Sequence, residues 1–289
     1  CEKELEKFAE NDNLVICGCN IDEFYAKDNS EYLTLAIESM LIQTIRPEQF
    51  VIVQDGPLPD SLEKVISTYE EKESQLFTVV RLKKNGGLAN ALNVGLANCR
   101  NELVARMDAD DISLPLRCEK ELEKFAENDN LVICGCNIDE FYDTPQNVRT
   151  SRVVPSKYKD ILKFMRRRQP FNHPTVIYKK SKVIEAGGYP KLRRKEDFDL
   201  FSRMLARGYY ALNVDESLYL YRANEQNYAR RKSWVNTKSA IYVYKLHYIR
   251  RGCTLIDCVS ISLAEIFFWI MPAKIVARIS DIFLRRKVI

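Results

Sequence analysis

Between Ser30 and Met107 three short apolar runs alternate with helical stripes, and this alternation constrains the fold more tightly than any other feature of the sequence. Leu33, Ile37, Met40 and Leu41 make the apolar face of a helix over Glu31–Thr44. Phe50–Gln54 is a buried strand that ends in the turn Asp55-Gly56-Pro57. A helix over Asp60–Glu73 leads to a second strand, Phe77–Leu82, and Asn85-Gly86-Gly87 opens a helix with a Leu88, Leu92, Leu96 stripe. Glu102–Met107 is a third strand and runs straight into Asp108. Strand–helix–strand alternation of this kind predicts an α/β fold: a doubly wound, mostly parallel sheet with helices on both faces. Ligands of such sheets bind beyond the carboxyl ends of the strands. Asp55 and Asp108 stand there, after different strands.

The pattern continues with a helix at Leu114–Glu127, strand regions at Leu131–Tyr142 and Asn147–Val154, and a helix at Lys159–Arg167. A strand at Thr175–Tyr178 precedes a helix at Asp197–Arg207 with Phe201, Met204 and Leu205 on one face. Beyond about Arg222 the strands are expected to stop. Three units are therefore expected: a duplicated segment at 1–25 in place of a first strand, a catalytic domain at 26–222, and a helical, basic, aromatic-rich appendage at 223–289.

Residues 1–25 recur without a change at 118–142. A single repeat is not a solenoid, which needs several tandem units, and perfect identity points to a recent duplication, a recombined gene or an assembly artefact. The downstream copy flows from the segment before it and is read as the original; the N-terminal copy is the foreign one. Direct replacement would bury Asp22 and Glu23 in a central strand at a cost of several kcal/mol. The expectation is therefore a strand at Leu14–Cys19, a longer loop at Asn20–Asn29, and a loosely attached helix at Glu2–Glu10.

The net charge of +4 is small for 289 residues and gives no reason to expect nucleic acid as a partner. Nine cysteines, an odd count without a secretory signal, read as reduced thiols of a cytoplasmic protein. The Cys-Gly-Cys pairs at 17–19 and 134–136 are too closely spaced for a zinc knuckle and read as small residues in strands. The apolar stretch Cys258–Met271 is too short to span a bilayer and contains Glu265.

Met107-Asp108-Ala109-Asp110-Asp111 puts three carboxylates within four positions at a strand end. Carboxylates this close repel, and a hard divalent ion that also bridges phosphate oxygens relieves the repulsion. A solvated acidic turn is the plainer alternative.

With these segments in order (SMLIQTIRPEQ, VIVQDGP, KKNGGLANALNVGL, RMDADD, His173-Pro174 and KEDFDLFSRMLARG) the chain resembles the family 2 glycosyltransferases over most of Glu31–Tyr221. The likeness is strongest to bacterial enzymes that build exopolysaccharide, capsule or O-antigen units. It implies a GT-A fold with a C-terminal helical appendage and transfer of sugar from a nucleotide-diphosphate donor, UDP-linked in most of the family. It implies further that Asp55 contacts the nucleotide base, Asp108 the ribose, and Asp110 the Mn2+ or Mg2+ ion. By the same resemblance Asp197 is the base of an inverting, single-displacement reaction. The family's processive members carry a glutamine- and arginine-rich motif ending in tryptophan. YRANEQNYARRKSW does not match it, which points to transfer of a single sugar.

Other residues keep two readings. Lys84 either meets donor phosphate or is solvated, and His173 either reaches the metal or is packed and hydrogen-bonded. Arg166–Arg168 either binds an anionic acceptor lipid or is a solvated charge run. After Pro272, Ile275, Val276, Ile279, Ile282 and Phe283 share a helical face. Lys274, Arg278, Arg285, Arg286 and Lys287 supply positive charge, a pattern for an anionic membrane surface and a place on the inner face of the cell membrane. The expected partners are a nucleotide-sugar donor and a saccharide or lipid-linked acceptor. An inactive or misassembled glycosyltransferase-like chain is the alternative that the replaced N-terminus raises.

Overall fold

The computed structural model describes residues 15–21, 29–223, 233–271 and 286–287. Three strands follow the expected alternation closely: β2 (Gln49–Gln54), β3 (Phe77–Arg81) and β4 (Leu103–Met107). Between and after them come α1 (Ser30–Leu41), α2 (Asp60–Lys72), α3 (Leu88–Asn98) and α4 (Arg117–Glu127). Asn29 caps α1 by accepting from the Glu31 N–H. The two-residue strand β5 (Ile112–Ser113) delays α4 to Arg117, three residues later than its apolar pattern suggested.

The second half supplies β6 (Leu131–Phe141), β7 (Val148–Arg152), α5 (Tyr158–Met165), β8 (Ile177–Lys179), α6 (Lys180–Glu185), α7 (Glu196–Ala206) and β9 (Tyr210–Arg222). Two further helices, α8 (Trp234–Ile249) and α9 (Leu255–Ile270), follow.

β1 (Val15–Ile21) lies between β2 and β4 and runs parallel to both. It extends two residues past the expected Leu14–Cys19, and Asn20 and Ile21 pair with Val53 and Gln54. The helix expected at Glu2–Glu10 and the acidic pair Asp22 and Glu23 lie outside the described residues. So does most of the basic tail after Pro272. Arg286 and Lys287, read from the sequence as part of that helix, instead form the strand β10, antiparallel to Ser151 and Thr150 of β7. The expectation that strands stop near Arg222 is corrected here. The unpaired backbone of an edge strand such as β7 attracts any extended segment within reach.

The sheet is ordered β10-β7-β6-β8-β4-β1-β2-β3, with β9 beside β6 and β5 beside β9. β3, β2, β1 and β4 are mutually parallel, β8 and β7 run antiparallel to their neighbours, and β9 is parallel to β6. Strand alternation divides the core between the two faces. Phe50, Ile52, Ala105 and Met107 pack with α1, α2 and α4, while Val51, Val53 and Val104 pack with α3, α5, α7 and α8. Both faces of the parallel strands are thus covered, which is why those strands read as continuous apolar runs. Cys134 and Cys136 are buried in β6, where burial raises both thiols and keeps them protonated.

Candidate active site

β2 and β4 end side by side across β1, so the residues that follow them share one edge of the sheet. Asp55 is buried there, and its carboxylate accepts from the Gly86 and Gly87 N–H groups at 2.8 Å each. This clamps the turn after β3 onto the turn after β2. Gly87 has φ 84° and Gly56 φ 106°, both in the left-handed region. A Cβ at Gly56 would also lie 2.9 Å from the Asn85 nitrogen. The Asn85-Gly86-Gly87 turn is therefore the partner of Asp55, a relation that spacing alone did not reveal. Lys84 beside it is exposed.

The three carboxylates after β4 are not equivalent. Arg106 and Asp108 share one side of the strand end, and Arg106 Nη2 meets Asp108 Oδ1 at 2.5 Å. The Asp108 N–H donates to Tyr219 Oη at 3.2 Å. Asp110 is exposed at the turn, and its carbonyl accepts from Arg222 Nε at 2.7 Å. Asp111 is fully buried and accepts from the Arg222 backbone N–H at 2.7 Å. Burial pushes its carboxyl well up, and the negative charges of Asp110 and Asp108 push the same way. Asp111 therefore ties the β4–β5 turn to the end of β9, while Asp108 is half-buried and Asp110 exposed.

Sequence reasoning missed the residues that hold this edge from below. Tyr219 and Arg222 come from β9, whose mixed pattern carries no alternation signal. The Arg222 guanidinium stacks on Tyr32 at 3.7 Å and on Phe141 at 4.6 Å from the ring centroids. Arg117, buried, donates to the Arg106 and Pro174 carbonyls and lies over the Tyr219 ring. An Arg two residues before a carboxylate in a buried strand was the one available signal.

Asp197 sits in the first turn of α7, where unpaired N–H groups favour a negative charge. Gln169 Nε2 donates to Asp197 Oδ2 at 2.9 Å. Burial alone would raise the Asp197 carboxyl; the Gln169 amide and the Phe198 N–H bond its ionised form and leave the group below its ordinary value. Glu196, next in the chain, goes the opposite way: burial and the charge of Asp197 push it up to about 7. The α7 cap, Lys195, is left-handed at φ 65°, a conformation that side chains other than glycine adopt at a cost of about 1–2 kcal/mol.

His173 Nε2 lies 3.0 Å from Tyr189 Oη, and its ring meets Phe201 edge-on. Burial and the positive charge of Arg106 drive it down to about 3, so it is a neutral imidazole at pH 7. Arg106 thus pairs with Asp108 while its charge acts on His173 and Glu196, which links the β4 edge to the α7 end. Arg166 and Arg167 have a partner within the chain, since both meet the buried Asp257. A concavity of about 670 Å³ lined by Arg46, Glu73 and Arg100 lies at the amino ends of β2 and β3, away from all of these groups.

Among the described residues no three His, Cys, Asp or Glu groups converge on a cation. Asp108 and Asp110 nevertheless offer oxygen donors alone, at the edge of the sheet. That suits a hard ion whose remaining positions are filled by phosphate oxygens.

A sheet wound in this way, with an acidic turn after the carboxyl end of its central strand β4, has the GT-A glycosyltransferase architecture. The mannosyltransferase PcManGT of Pyrobaculum calidifontis, solved with GDP-Man and Mn2+, shares it. The TM-score is 0.62 at 15% identity, covering 98% of this chain and 81% of that one. The chain belongs to glycosyl transferase family 2, whose model matches residues 24–199. It is 34% identical over 251 residues to the amylovoran biosynthesis glycosyltransferase AmsE of Erwinia amylovora, covering 87% of this chain and 93% of that one. It is 31% identical over 256 residues to the UDP-Gal:alpha-D-GlcNAc-diphosphoundecaprenol beta-1,3-galactosyltransferase of Escherichia coli, with coverages of 86% and 90%.

Proposed function

We propose that this chain transfers a single sugar, with inversion, from a UDP-linked donor to a hydroxyl of a glycan or lipid-linked saccharide during surface polysaccharide synthesis. The observation that carries the reading is Asp197, a carboxylate kept ionised at the start of α7 by Gln169. Its neighbours His173 and Glu196 feel the charge of Arg106, which pairs with Asp108 on the acidic edge after β4. The galactosyltransferase relative, whose acceptor is a diphosphoundecaprenol-linked sugar, supports the donor and acceptor class.

In this reading Asp197 takes the proton of the acceptor hydroxyl as that oxygen bonds to the anomeric carbon. The bond from the anomeric carbon to the diphosphate breaks in the same step, and the diphosphate leaves with the electron pair. Neutral His173 brings no positive charge to the cluster, and Glu196, pushed up to about 7, gives up its proton far less readily than Asp197. Asp108 orients the ribose, and Asp55 carries the base contact on the lone pairs left over from the Gly86 and Gly87 bonds. Lys84, exposed beside the Asn85-Gly86-Gly87 turn, meets donor phosphate in this reading. Asp110 would hold Mn2+ or Mg2+, which would neutralise charge on the departing diphosphate.

Residues 26–222 form the catalytic unit, with β1 from the duplicated segment in its central slot, and 223–289 form the appendage. The protein works at the inner face of the cell membrane, where a lipid-linked acceptor resides. The test is transfer from UDP-sugars to a diphosphate-lipid saccharide, with the anomer of the product read by NMR. A retained configuration, or transfer that survives Asp197→Asn, would sink the mechanism.

A further inference from the structure

The chemistry above makes no use of the outer side of α9. Asp257 and Glu265 are the helix's charged residues, and both face the protein. Asp257 is fully buried, bonded to Arg166 and Arg167, and closes a capping box with Thr254. Glu265 lies 3.7 Å from Lys195. Ile261 and Cys258 pack on the core. The other side carries Ile256, Val259, Leu263, Phe267 and Ile270, spaced three or four residues apart; Ile256 is 75%, Leu263 62% and Ile270 69% exposed. A helix apolar all round is ordinarily buried on every side. Its 16 residues give about 24 Å, short of the roughly 30 Å hydrocarbon core, and no described helix can cross a bilayer.

The border of this face selects the occupant. Arg166 and Arg167 keep 44% and 61% of their side chains exposed even while paired, and Arg251 is exposed at the turn between α8 and α9. The chain's two tryptophans, Trp234 and Trp269, pack together at 4.8 Å at the far end of the helix pair, each partly exposed. Indole rings favour the headgroup level of a bilayer, and arginines favour anionic lipid.

We propose that the outer face of α9 lies in the interfacial layer of an anionic bilayer, anchored by Trp234 and Trp269 and bordered by arginines. The proposal rests on the lipid-linked acceptor reading. Lys195, bonded to Glu265, is two residues from Asp197, so seating α9 holds the base at the level of a lipid-borne hydroxyl.

The test uses the full chain with vesicles of equimolar phosphatidylcholine and phosphatidylglycerol, read by flotation and by tryptophan quenching from bromine-labelled acyl chains. Wild type is expected to float with these vesicles and to be quenched, and to float less on phosphatidylcholine alone. The double variant Leu263→Ser, Phe267→Ser should lose binding by roughly tenfold or more. Its circular dichroism and its transfer to a water-soluble acceptor should stay unchanged. Flotation without quenching assigns binding to residues 272–285 and overturns the proposal. Absence of vesicle binding, with a dimer that the same double variant dissociates, overturns it in favour of a second copy. Vesicle binding without sugar transfer would leave the seating intact and remove the transferase reading, so the two fail separately.

Discussion

Gln169 donates its side-chain amide to Asp197 Oδ2 at 2.9 Å, and the bond favours the ionised carboxylate. Replacing the amide with an isosteric apolar group, Gln169→Leu, removes that support and raises the Asp197 carboxyl. The acid limb of the pH–rate profile should then move to higher pH, because protonation of the base occurs at a higher pH than in wild type. Asp197→Asn should lower turnover by roughly 10²–10⁴-fold while donor affinity measured by calorimetry hardly changes. An unmoved acid limb in Gln169→Leu would assign the profile to another group.

Asp110 stands at the exposed end of the acidic edge, and Asp111 is buried behind it. Asp110→Asn should keep the fold, nearly abolish transfer, and remove the manganese dependence of UDP binding in calorimetry. Asp111→Asn should act on stability first, because its partner is the Arg222 N–H and its surroundings are closed. Equal melting temperatures with activity lost only in Asp111→Asn would reverse these assignments.

Gly56→Ala should destabilise the protein by about 1–3 kcal/mol, since the new methyl meets the Asn85 nitrogen from a left-handed backbone. The same clash pushes the Asn85–Gly87 turn off Asp55. Chemical denaturation measures the first effect, and a raised KM for the nucleotide sugar reports the second. A variant as stable as wild type would mean the two turns move apart without cost.

Glu121 is fully buried beside the Cys136 thiol, and burial pushes it up to about 8 despite the Arg117 charge nearby. The unfolded chain releases this proton near 4.5 and the folded chain holds it until about 8. Folded protein therefore binds more protons in that window, and its stability falls as pH rises through it. Glu121→Gln should flatten the fall, by on the order of a few kcal/mol between about pH 5 and pH 8. Urea denaturation at both pH values checks this, and an unchanged slope would show that Glu121 is ionised throughout.

The parallel strands and their helices were legible because each obeys one strong rule. β2 and β4 are buried on both faces and read as unbroken apolar runs, and α3 carries a clear leucine stripe. β9 was not legible. Tyr210–Arg222 has exposed Asp215 and Glu216 in its middle, so neither a run nor an alternation emerges. Its pairing with β6 is set by residues nearly eighty positions earlier. That one omission hid Tyr219 and Arg222, which hold the acidic edge in place. The left-handed Lys195 was hidden for a different reason: nothing in its side chain calls for that conformation.

The segment VICGCNI forms β1 at 15–21 and recurs within β6 at 132–138, yet its two copies have different neighbours. The first runs parallel to β2 and β4, and the second runs parallel to β9 and antiparallel to β7 and β8. Seven identical residues carry no address, so each slot in the sheet is assigned by the chain on either side of it. A refolding chain therefore faces a choice between two interchangeable strands. Molecules that seat the wrong copy must unzip it before they can finish, which splits refolding into a direct phase and a slower corrective one.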